Sequence, residues 1–100
     1  MLPKQNELKE NLKNLARNTE KEIKKMEDKM ASASDEGKLQ LQSTINEIKE
    51  EKRRIDEKYR EVANATRQNW DELKSQTDNV LKKAEAKVYH LADSVKNALG

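Results

Sequence analysis

The sequence predicts an all-α fold, an antiparallel three-helix bundle, and three observations carry that prediction. Ala, Glu, Lys, Leu and Arg make up just over half of the 100 residues, the composition of long helices and coiled coils. Apolar or small side chains return every three or four residues along nearly the whole chain, which is the period of a single helix face. Breakers are scarce, with two Gly and one Pro, and the absence of Cys excludes both a disulfide scaffold and a thiolate metal site. Charged residues reach 40% and hydrophobic ones only 33%. The core is therefore a thin seam between helices rather than a thick centre.

The first helix is expected over residues 4–32. Its stripe is Leu8, Leu12, Leu15, Thr19, Ile23, Met26, Met30 and Ala33, and Pro3 suits the first turn. A turn follows at 31–37, where small and polar residues displace the large apolar ones. Within it, Ser34 followed by Asp35 and Glu36 has the pattern of an N-cap with acids in the first turn. The second helix, about 36–64, carries Leu41, Ile45, Ile48, Lys52, Ile55, Tyr59 and Val62.

A second break is expected at 64–69. Asn64, Thr66 and Asn69 are weak helix formers, and Asn69-Trp70-Asp71-Glu72 reads as a cap followed by acids. The third helix, about 69–98, carries Trp70, Leu73, Thr77, Val80, Ala84, Val88, Leu91, Val95 and Leu99, with Gly100 as its stop. If the chain does not break, residues 36–98 form one helix about 95 Å long. The fold is then a helical hairpin with one long second helix, completed as a swapped dimer. The stripe mixes heptad and hendecad spacing, so neither supercoil hand is sustained and a short, nearly straight bundle is favoured.

No residue pattern points to catalysis or to a cofactor. His90 is the only histidine, and Lys87 stands where a Glu-x-x-His pair would need its acid. The carboxylate pairs Glu50-Glu51, Asp56-Glu57 and Asp71-Glu72 sit among Lys and Arg, the pattern of a solvated ion-pair surface. Glu20–Lys24, Glu50–Arg54, Asp56–Arg60 and Asp78–Lys82 have the favourable i,i+4 order. The chain has neither a Gly-rich phosphate loop nor a nucleophile elbow.

Nucleic acid is disfavoured, because acids flank Lys52-Arg53-Arg54 on both sides and the net charge is only +2. No apolar run approaches the roughly 18 residues of a membrane span. The N-terminus lacks the apolar stretch of a signal peptide. The chain reads as soluble, and its compartment is left open.

Trp70, Tyr59 and Tyr89 lie on or beside the stripe and are expected in the core or at its boundary, the indole N–H of Trp70 reaching a carbonyl or water. Thr19, Lys52, Thr66 and Thr77 interrupt the stripe and are expected to fix register, with Lys52 snorkelling to the edge. The candidate interaction residues are Trp70, Leu73, Val80, Val88, Leu91 and Val95. Lys82, Lys83, Lys87 and Lys96 beside that face leave an anionic membrane surface as a lesser option.

The segment Ala65-Thr66-Arg67-Gln68-Asn69-Trp70-Asp71-Glu72-Leu73-Lys74, after a charged hairpin, resembles small uncharacterised bacterial coiled-coil proteins with a Trp-x-x-Leu-Lys segment. The resemblance rests on Trp70, Leu73 and Lys74 and implies no catalytic residue. The Lys- and Ala-rich spacing of the last third is also similar to amphipathic stress-protection and apolipoprotein helices, and a designed bundle fits the sequence equally. The expected function is a non-enzymatic structural or interaction module that binds itself or another helical protein. The second choice is a lipid-surface or stress-protection protein.

Overall fold

The computed structural model describes residues 2–99, with side chains through Lys96. Gly100 and the side chain of Leu99, expected to end the seam, lie outside the described residues. Three helices form, α1 (Gln5–Met30), α2 (Asp35–Ala63) and α3 (Trp70–Leu99), packed into a rod of 52 × 17 × 16 Å. The chain therefore breaks after α2, and the long second helix of the alternative fold is not present. Because α2 runs opposite to both of its neighbours, α1 and α3 run parallel.

Local chemistry sets the helix ends. Pro3 lies in a turn before α1 rather than in its first turn, where it was expected. Lys4 follows with φ 63, ψ 3, and the Gln5 N–H donates to the Leu2 carbonyl at 3.2 Å. These are the angles of the third residue of a type II turn, a place that favours glycine. The Gln5 amide then donates to the Val62 carbonyl at 2.8 Å, tying the start of α1 to the end of α2. Ser34 caps α2 as expected, its hydroxyl accepting from the Gly37 N–H at 3.2 Å. At 64–69 the Asn69 side chain turns backwards, accepting from the Thr66 N–H (2.9 Å) and hydroxyl (3.2 Å). Thr66 is thus an exposed loop residue rather than a seam position.

The seam forms two apolar clusters along the rod. The upper one gathers Leu8, Leu12, Leu15, Ile55, Val62, Trp70, Leu73 and Ala84; Tyr59 and Leu81 pack at its edge. The lower one gathers Ile23, Met26, Leu41, Ile45, Ile48, Val88 and Val95, with Met30, Leu91 and Ala92 at its edge. Between them in sequence lie two buried polar residues, Thr19 on α1 and Glu51 on α2.

The seam of α2 therefore passes through Glu51, and not through Lys52 as the stripe suggests. Ile48 and Ile55 are seven residues apart, and either 51 or 52 completes a helical face between them. Lys52 stands aside, half-buried, with its ammonium 3.1 Å from Asp56.

Thr19 and Thr77 are fully buried, but each hydroxyl donates to the carbonyl four residues back in its own helix, Leu15 and Leu73, at 2.7 Å. Such self-bonding satisfies the hydroxyl without a partner helix. These threonines do not fix the register between helices.

Candidate functional site

The six candidate interaction residues do not form a surface. Trp70, Leu73, Val88 and Val95 are buried in the two clusters, Leu91 packs at the edge of the lower one, and Val80 is half-buried. Trp70 heads α3 and is 4% exposed; its indole N–H has no protein acceptor among the described residues. Tyr89 departs from expectation in the other direction. It is 76% exposed, because its neighbour Val88 takes the inward position in that turn. His90 is exposed, as a lone surface histidine should be.

Two polar arrangements are built on the rod. In the first, Glu51 accepts from Arg54 at 3.1 Å on its own helix and forms an ion pair with the Lys87 ammonium at 3.0 Å across to α3. The carboxylate is buried while both cations are half in solvent, so Lys87 clasps α3 to α2 over the junction of the two clusters. The remaining ion pairs are local. Arg53 bridges Glu50 and Glu57, Lys58 pairs with Glu61, and Lys25 sits 3.5 Å from Glu22. The i,i+4 pairs expected from the sequence, Glu20–Lys24, Glu50–Arg54, Asp56–Arg60 and Asp78–Lys82, are not the ones formed among the described residues. Hydrogen bonds from Arg53 hold the Glu50 carboxyl below its ordinary value of 4.5, with the Arg53 charge adding to the effect.

The second arrangement is a groove of about 910 Å³ along the seam between α1 and α3. It exists because these two helices touch least, whereas α1 and α2 pair closely and α3 leans on α2. Leu15, Met26, Val88 and Val95 form its floor, already buried by the bundle. The α1 wall is Asn11, Asn14, Asn18, Lys21, Glu22, Lys25 and Lys29, which present amides above and three ammonium groups with one carboxylate below. The α3 wall carries Glu85, Tyr89, Asp93 and Lys96. One wall is thus mainly basic and the other mainly acidic, with an exposed aromatic ring on the acidic side.

The three asparagines are informative. Each is exposed, and each is a poorer helix former than Ala, Glu or Lys; Asn6, Asn46 and Asn79 are exposed on helices too, but these three fall in one row along the groove. Among the described residues none of the three side chains makes a hydrogen bond within the bundle. Asn11, Asn14, Asn18, Lys21 and Lys25 follow steps of three and four, a second helical stripe beside the apolar one. That spacing was readable in the sequence, but composition hid it because all five residues are polar.

Among the described residues no group of three or more His, Asp or Glu side chains is placed to hold a metal ion. No helix there is long and apolar enough to cross a membrane. Comparison of the chain with protein-family models, curated proteins and solved structures gives no match.

Proposed function

We propose that the chain is a non-enzymatic interaction module that docks a helical protein along the α1/α3 groove. The observation that carries this reading is the pairing of an open groove with a polar wall that folding does not require. Unused weak helix formers on a regular stripe mark a place where local stability yields to another demand. Tyr89 supports it, since a rigid amphipathic ring is a common anchor of helical interfaces. The lipid-surface alternative needs apolar helix faces free to meet a bilayer, and this bundle turns those faces inward.

A photo-crosslinking amino acid placed at Tyr89, with a control at the equally exposed Leu39, tests the reading in purified chain and in lysate. Discrete protein adducts at 89, from the chain itself or from another protein, are expected in excess of those at 39. Equal yields at both positions refute it.

A further inference from the structure

We propose that the occupant of the groove is a second copy of this chain, docked side by side and parallel, about a twofold axis that runs along the rod. The proposal rests on the reading of the α1/α3 groove as a docking face. It follows from the charges of the two walls and from their levels along the rod.

A symmetric face-to-face pair must have its twofold axis in the plane of contact. If the axis lies across the groove, α1 of one protomer lies antiparallel on α1 of its partner, and Lys21, Lys25 and Lys29 meet the partner's Asn18, Asn14 and Asn11 rather than its carboxylates. If the axis runs along the rod, α1 covers the partner's α3, and the basic wall meets the acidic one at both edges. Like charges in apposition are unfavourable and opposite charges select the arrangement. Only the second axis sets the lysines of α1 against the carboxylates of α3.

The levels agree. The passage from the upper to the lower cluster falls between Leu15 and Ile23 on α1 and between Ala84 and Val88 on α3. Residues near 19 and 86 therefore share a height, and a twofold axis along the rod preserves height. Lys21 then comes level with the stretch between the partner's Glu85 and its Tyr89. Lys25 comes level with the partner's Asp93, with the partner's Tyr89 one turn above. These offsets lie within about one helical turn of 5.4 Å, inside the reach of a lysine side chain. Glu22 competes for Lys25 from the same helix at 3.5 Å, a long and exposed pair that yields to a closer carboxylate.

At the lower end Lys29 falls level with the partner's Lys96, the one repulsive meeting. The attraction is thus concentrated on Lys21 and Lys25. Tyr89, whose ring is left in water by the single rod, is covered by the stems of those two lysines, a cation–π geometry the chain already uses where Lys9 lies 5.8 Å from the Tyr59 ring centre.

Two experiments on the full chain decide it. Light scattering coupled to size exclusion over a concentration series is expected to show masses rising from 11.6 kDa toward twice that value. The K21E/K25E and E85K/D93K variants each weaken the dimer about tenfold, and the four-substitution chain recovers it. A mass fixed at 11.6 kDa at every concentration overturns the proposal, as does a dimer indifferent to both charge reversals.

The second experiment uses the absence of native cysteine. Lys29→Cys and Lys96→Cys chains are mixed under oxidising exchange, which also removes one of the two repulsive Lys29–Lys96 meetings. Mixed disulfide is expected in excess over either self-disulfide; predominance of self-disulfide overturns the arrangement. Crosslinks from position 89 to a different protein, with none to the chain itself, overturn the second-copy occupant and leave the docking face standing.

Discussion

Replacing Glu51 with leucine is expected to make the protein more stable. Glu51 is 5% exposed at the junction of the two apolar clusters, between Ile48 and Ile55, with its charge balanced by Arg54 and Lys87. The charge-assisted hydrogen bond from Arg54 and the ion pair with Lys87 together contribute about 2–3 kcal/mol. Against them stands the cost of taking a carboxylate out of water, still several kcal/mol after relaxation. A buried leucine adds about 1.5–3 kcal/mol of its own. Both cations are half exposed and rehydrate when the carboxylate is gone.

The net expectation for E51L is a gain of about 1–3 kcal/mol, a size seen when buried ion pairs give way to packed apolar groups. For a domain of this length that raises Tm by about 4–8 °C per kcal/mol. Lys87→Ala in the parent chain leaves the buried carboxylate with one partner and costs about 1–2 kcal/mol. In the E51L background the same substitution is nearly neutral. Urea and thermal unfolding followed by circular dichroism on the four proteins of this cycle give both numbers. A loss of stability in E51L, or an equal cost of Lys87→Ala in both backgrounds, refutes the account of the clasp.

Thr19→Val and Thr77→Val each keep the shape of a buried side chain whose hydroxyl serves only its own helix. Each is expected to stabilise by up to about 1 kcal/mol, and a cost above that size in urea unfolding shows that the hydroxyl has another partner. Trp70→Phe keeps a ring in the upper cluster and is expected to cost about 1 kcal/mol, whereas Trp70→Ala costs about 3–5 kcal/mol; similar costs for the two variants contradict this. Glu50 titrates below its ordinary value of 4.5 when folded. Its contribution is present above that pH and is lost as the pH falls through the depressed value. Arg53→Ala should therefore flatten the acid limb of the stability profile slightly, and a profile steeper than the parent's contradicts the assignment.

The parts of the fold that depend on one helix at a time were legible in the sequence. The α1 stripe from Leu8 to Met26 needs only a period, the Ser34 cap needs only a hydroxyl three residues before an N–H, and the break at 64–69 needs only weak helix formers around Asn69. What the sequence left ambiguous depends on how helices rotate against one another. A turn or less of rotation decides whether Glu51 or Lys52 faces inward, and whether Tyr89 follows Val88 into the core or stands in water. The ion-pair partners of Arg53 and Arg54 follow rotamers that spacing does not determine. The groove was least accessible of all, because it comes from an unequal division of contact among three helices. Its amide wall could have been noticed as a stripe, but its function as a wall could not.

That unequal division also sets an order in time. α1 and α2 make the most extensive pairing in the molecule and are joined by only the short segment 31–34. Contacts between elements adjacent in sequence close small loops and form early. The hairpin of α1 and α2 can therefore assemble while the last third of the chain is still being synthesised. It then presents a half-covered row from Val62 down to Leu41 on which α3 docks as a finishing element. A chain at that stage leaves the row awaiting a helix, and a neighbouring chain's α3 is chemically identical to its own. A short, locally tied 64–69 connection, with Thr66 bonded to Asn69, keeps the proper helix nearest and gives the intramolecular closure its head start.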